Sequence, residues 1–185
     1  MRLFLILVTW IGLASCLSAQ TSAPDPKYVR KETRGETILE TLKANGFPTL
    51  ASKWYFVGPF ENSDRTGFDK AYPPEQAVDL KATYLGKFGA KLTWKEMLRF
   101  RLGQVYDLHS LFPESHNDVV IYLYTEFDST QEVMLPISLG SDDTLSVFAN
   151  GKRIFHEAHE RGAEPDQDRV DFPVKVGKNQ LLIKI

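Results

Sequence analysis

GSDDTLSVFANGKRIFH, residues 140–156, is the stretch whose reading decides the fold. Two runs rich in β-branched and apolar residues, 144–149 and 152–156, flank Asn150-Gly151. That dipeptide supplies the positive φ angles of a type I′ turn, whose twist matches a two-stranded ribbon, so the spacing predicts a tight hairpin. With a two-residue loop, Ala149 faces Lys152, Val147 faces Ile154 and Leu145 faces His156, while Phe148 and Phe155 lie on the opposite face with Ser146 and Arg153. Asp142 and Asp143 then stand at the open end of the ribbon. After His156 the chain returns to that same end, where it brings a second acidic loop, EPDQD at 164–168.

The strands around this ribbon follow from alternation. Val133, Leu135, Ile137 and Leu139 alternate with Met134, Pro136 and Ser138, the pattern of a strand with one face toward a core. Residues 119–127 are apolar on both faces, which predicts a central strand. Pro136 has no N–H to give a neighbour, so its strand is expected at an edge or a bulge there. Val170, Phe172, Val174 and Val176 alternate with charged residues and a proline. The chain then turns at Gly177-Lys178-Asn179 into 180–185, and the apolar ending at Leu181, Leu182, Ile183 and Ile185 is expected to need a partner strand. On that ground the chain reads as a C-terminally truncated copy of something longer, since an open apolar edge invites pairing. Trp54-Tyr55-Phe56-Val57 is a further strand ending at Gly58-Pro59. Residues 60–74 read as an ordered loop, and shorter strands are predicted at 82–85, 91–94 and 104–108. Many short strands with turns between them define an all-β antiparallel sandwich spanning 53–185.

The N-terminal part reads differently. Met1-Arg2 precedes an apolar run at 3–14, too short to span a bilayer as a permanent helix and placed where an export signal stands, so 1–19 reads as a signal peptide. Two endings are open. Leu13-Ala14-Ser15-Cys16 has the form of a bacterial lipobox, with Cys16 lipidated, whereas cleavage near Ala19 discards it. The expected locations are the periplasm, the outer membrane through a lipid anchor, or the exterior. Residues 20–30 form a linker, and 31–46, with capping-box spacing at Thr33 to Glu36, form one short amphipathic helix. Cys16 is the single cysteine, so neither disulfides nor thiol chemistry is expected in the folded body. With 22 basic and 24 acidic residues and no basic stripe, nucleic acid is not an expected partner.

An ordered series of motifs, WYFVGPF at 54–60, GFD at 67–69, YPPE at 72–75, LGSDD at 139–143, NGK at 150–152 and PDQDRV at 165–170, resembles a galactose-binding-like jelly-roll module of exported bacterial proteins. The resemblance covers 53–185. It implies a non-catalytic accessory domain, often carbohydrate-binding, beside a glycoside hydrolase or another large secreted enzyme. The paired aspartates also resemble those of PA14-type lectin domains, which implies calcium at Asp142 and Asp143.

Asp142, Asp143, Asp166 and Asp168 are the sharpest candidates for ligand binding. Calcium takes six to eight oxygens, typically from carboxylates and carbonyls on loops. Against that reading, Asp142 and Asp143 can cap a turn through their own amides, and Asp166 and Asp168 can pair with Arg161 and Arg169. Among the aromatics, Trp54 is expected in the core. Tyr72, beside Pro73-Pro74, is the expected surface aromatic for stacking on a sugar. Of His109, His116, His156 and His159, the last two stand three apart near the acidic loop, but no third ligand or nucleophile stands at an informative spacing, and no nucleophile elbow is present. The favoured reading is an exported binding module with a glycan or a downstream enzyme domain as partner and no catalysis of its own. The alternatives are a structural or interaction domain of a longer protein and the N-terminal part of a secreted hydrolase.

Overall fold

The structure, a computed structural model, describes residues 4–9, 53–98, 100, 102–112 and 117–185. The lipobox with Cys16, the linker and the expected helix at 31–46 lie outside the described residues. Twelve strands follow in chain order: β1 (Phe4–Thr9), β2 (Trp54–Glu61), β3 (Thr83–Leu85), β4 (Lys91–Thr93), β5 (Lys95–Glu96), β6 (Val105–Asp107), β7 (Val119–Ser129), β8 (Val133–Ser141), β9 (Leu145–Ala149), β10 (Lys152–Glu157), β11 (Asp168–Val174) and β12 (Gly177–Lys184). A single-turn helix, α1 (Pro73–Gln76), follows β2. β11-β8-β1-β6 form one sheet and β10-β9-β12-β7-β2-β5 a second, while β3 and β4 make a separate hairpin. The chain is an all-β antiparallel sandwich.

Alternating residues of the two larger sheets meet between them. Phe56, Leu123, Val147, Leu181 and Ile183 from the six-stranded sheet close on Leu135, Ile137, Leu139, Val170 and Phe172 from the other. Each such side chain taken fully out of water contributes about 1.5–3 kcal/mol, and this core is the main stabilising term. β7 lies between β12 and β2 and is buried on both faces, as its two-sided apolar pattern requires. Its outward residues Val120, Tyr122 and Tyr124 join Val57, Phe60, Tyr72, Trp94, Phe148 and Leu182 in a second cluster. The segment from β2 to β4 covers that outer face.

The focal hairpin closes on Asn150 and Gly151 at φ 51° and 81°, the two positive angles of a type I′ turn. Lys152 pairs with Ala149 and Arg153 with Phe148, but a register shift follows, so Phe155 faces Val147, His156 faces Ser146 and Glu157 faces Leu145. The expected pairs Val147–Ile154 and Leu145–His156 are therefore corrected by one residue. Ile154 and Phe155 are adjacent apolar side chains, and strict alternation sends one of them outward. The bulge lets both pack against the intersheet core and moves His156 to the other face.

Three further expectations change. β2 does not stop at Gly58-Pro59 but runs to Glu61, with its register against β7 shifting between Val57 and Phe60, where proline offers no N–H. β12 is not an open edge, because β7 pairs along one side and β9 along the other, so its apolar character is that of an interior strand. Val176 lies in the turn after β11 and is exposed. Pro136 pairs with Asp171 of β11, and β1 reaches only from Ile137 to Ser141, so the proline sits where β8 has one described neighbour, as expected. The leader-like run was not expected in the fold, yet Phe4–Thr9 is the strand between β8 and β6.

Candidate functional site

The end of the sandwich that carries the acidic residues is tied together by Arg161. Its backbone N–H donates to Asp143 Oδ1 at 3.1 Å, and its Nε donates to the Asp143 carbonyl at 3.1 Å. The guanidinium also donates to Ser141 Oγ at 3.0 Å and grips both carboxylate oxygens of the buried Asp168. This bidentate pair raises the Arg161 pKa, chiefly through its hydrogen bonds to Asp168. Gln167 Oε1 accepts from Ser141 N at 3.0 Å, and the Ser138 hydroxyl donates to Asp166 at 2.6 Å. The 158–168 loop presses so close to β8 that a Cβ on Gly140 would stand 1.9 Å from the Glu164 carbonyl oxygen, so only glycine fits.

The expected meeting of the two acidic loops is thus present, but the four aspartates do not converge on one point. Asp168 pairs with Arg161, Asp166 takes a serine hydroxyl, and Asp143 holds the backbone of Arg161. Asp142 keeps its proton more tightly than usual because burial, and then the neighbouring Asp143, penalise its charge. Among the described residues, no group of three or more His, Cys, Asp or Glu side chains is placed to hold a metal ion. A guanidinium already stands at the centre of the cluster, where it opposes a second cation. As arranged, these residues do not fit calcium.

Beside this knot lies a cleft of about 160 Å³. Asn62, Arg65 and Asp69 line it from the loop after β2, Asp118 from the turn before β7, Asp143 from the β8–β9 loop and Glu160 from the segment after β10. Val119 and Ile185 add apolar surface. Arg65 spans the opening, with Nε 3.4 Å from Asp118 Oδ1 and Nη1 3.2 Å from Glu160 Oε1. Arg65 and Asp118 both hold left-handed backbone angles, at φ 59° and 49°. Such conformations are uncommon outside glycine, and for arginine more so than for aspartate. Neither Arg65 nor Glu160 is announced by the sequence, because five separate segments must fold before the cleft exists.

On the outer face of the six-stranded sheet, His156 Nδ1 lies 2.7 Å from Ser146 Oγ, and His156 Nε2 lies 3.5 Å from Asp69 Oδ1. Phe68 stacks on the imidazole at 4.7 Å between ring centroids. These are the residue types of a nucleophilic triad, but Ser146 is only 1% exposed. A hydroxyl so placed meets no substrate, and the trio instead docks loop 62–72 onto the sheet. His159 contacts Glu157 and is exposed.

Lys184, also on that face, is 2% exposed and fully engaged. Its Nζ donates to Glu75 Oε1 and to the Lys70 carbonyl, both at 2.7 Å. It lies 5.5–5.8 Å from the ring centroids of Phe68, Tyr72 and Tyr122. Tyr122 donates to the same Glu75 oxygen at 2.5 Å. Tyr72, expected at the surface for stacking on a ligand, is corrected here: it is buried, its ring forms one wall of this cage, and its hydroxyl donates to the Glu61 carbonyl. The two prolines after it enter α1, which folds back on the sheet. Trp54 is in the core as expected.

Neither protein-family models, nor curated proteins, nor solved structures give a match to this chain.

Proposed function

We propose that this chain is an exported, non-catalytic binding module whose cleft at the acidic end of the sandwich takes a glycan, alone or on behalf of a larger secreted enzyme. One observation carries the reading: carboxylates of Asp69, Asp118, Asp143 and Glu160, the Asn62 amide and the Arg65 guanidinium surround one opening. Vicinal sugar hydroxyls both donate and accept, so they suit a ring of ionised acceptors with a planar donor across it. The motif series from WYFVGPF to PDQDRV supports the same class by resemblance. The burial of Ser146 supports a binding role over a catalytic one, because it withholds from substrate a hydroxyl that a histidine holds.

A glycan array probed with the chain tests this. At least one polysaccharide is expected to bind, and Asp118→Ala or Glu160→Ala is expected to weaken it about tenfold, the loss of one hydrogen bond to a charged group. Absence of binding to every glycan would favour an interaction domain without a ligand of its own.

A further inference from the structure

We infer that the β8 edge formed by Ile137, Ser138, Leu139, Gly140 and Ser141 is a strand-acceptor site, filled in this chain by Phe4–Thr9 and, once the leader is removed, by an uncharged apolar strand of a partner polypeptide. The inference rests on the export reading, because only removal of the first segment frees the slot.

The strand edges of this molecule are unequal. β11 ends one sheet with Arg169 and Asp171 exposed and Pro173 unable to donate. β10 ends the other with Lys152, Arg153 and a bulge. β5 is two charged residues long, and β6 is three residues long and ends in Asp107. Charges, prolines, bulges and brevity are the devices that stop an edge from recruiting another strand. The second edge of β8 has none of them from Ile137 to Ser141. Pro136 closes the run at the point where pairing with β1 stops, opposite Thr9. That edge is built as an interior one.

The present occupant defines the chemistry of the slot. β1 runs antiparallel to β8 with Leu5 opposite Ser141, Leu7 opposite Leu139 and Thr9 opposite Ile137. Its other side pairs with β6 from Phe4–Asp107 to Ile6–Val105. A replacement must therefore offer both of its edges and run antiparallel over five residues, with alternate positions opposite the buried Ile137 and Leu139. No described strand of a folded second copy has both edges free and uncharged. The described strands therefore cannot serve in a second copy; the inferred occupant is an extended apolar segment of another polypeptide, bound through main-chain hydrogen bonds as in other strand additions.

The test uses the full chain. Ile6→Pro should raise hydrogen exchange at least tenfold at those amides of 137–140 that face β1, while the Ser141 amide, held by Gln167, and the β7 amides stay protected. A labelled peptide carrying residues 3–10 between lysine pairs should then bind saturably and restore protection, whereas its Ile6→Pro counterpart should not. Should Ile6→Pro not fold, a protease site inserted after residue 19 allows the folded chain to be nicked, and the released leader should exchange with the labelled peptide. Unchanged exchange in a folded Ile6→Pro chain, or a nicked chain that neither releases its leader nor takes up peptide, overturns the inference. Dimers held by a second copy's leader overturn the choice of occupant. Amino-terminal sequencing of secreted protein tests the export reading separately: an intact Met1 defeats that reading and leaves the peptide result standing.

Discussion

On its inner face the six-stranded sheet presents Phe56, Leu123, Val147 and Ile183 to the second sheet, whereas on its outer face it presents Tyr122, Tyr124, Ser146 and Lys184 to the loop and hairpin between β2 and β5. Both faces exclude water. The inner one does so with side chains that ask only for area, so any well-shaped apolar partner serves. The outer one contains a buried ammonium, a carboxylate and several hydroxyls, each of which requires a named partner. A β-sheet can thus bury both faces, but the second face then depends on specific polar bonds as well as on area.

That contrast can be broken most sharply at Glu75. Glu75→Ala leaves the buried Lys184 without its counter-ion, and is expected to cost about 3–5 kcal/mol, measured by urea unfolding. Adding Lys184→Met should recover most of that loss. On the inner face, Leu123→Ala should cost about 2–5 kcal/mol with no such single-site rescue, because there the loss is a cavity. If the double variant is no more stable than Glu75→Ala alone, the outer face does not depend on the pair.

A smaller effect is expected where the 158–168 loop meets β8. Gly140→Ala forces a methyl group against the Glu164 carbonyl and should cost about 1–3 kcal/mol in the same assay. Its loss should come with faster proteolysis around Glu164, since the loop must lift.

The smallest effect is one of pH. Tyr122 is held well above the usual phenol range by burial first and then by its hydrogen bond to Glu75, and Tyr124 likewise by burial and Glu126. The folded state keeps these protons while the unfolded chain releases them near the ordinary tyrosine value of about 10. This contribution is therefore complete below pH 10 and falls away as the pH climbs above it. Lys184 works in the opposite direction, because burial lowers its pKa and folding becomes easier as it loses its proton on the way up to 10.5. Thermal melts from pH 9 upward should show a shallower alkaline decline for Tyr124→Phe than for the parent chain.

The inner face was legible in the sequence, and of the outer face only the second apolar side of β7 was. Alternation at Val133 to Leu139 and at Val170 to Val174 assigns β8 and β11 their inward residues directly, and Asn150-Gly151 marks the turn. The bulge at Ile154 escaped because two adjacent apolar residues fit either phase of a strand. Lys184, inside LLIKI, looks like a solvent-facing charge until a loop more than a hundred residues earlier brings Glu75 over it. Tyr72 misled for the same reason, since Pro73-Pro74 marks a loop but not what the loop lies on. At the candidate site, strand polarity was enough to bring Asp143 and Asp168 to one end. The cleft walls Arg65, Asp118 and Glu160 come from separate segments whose spacing carries no signal.

The most direct measurement is a chemical-shift map of the chain titrated with a glycan drawn from the array. The account predicts that backbone amides of Asn62, Arg65, Asp118, Asp143 and Glu160 move together and saturate at one affinity. A second groove, of about 350 Å³, lies beside α1 on the outer face and is lined by Gln76, Val78 and Gln180; shifts confined to those residues would contradict the account.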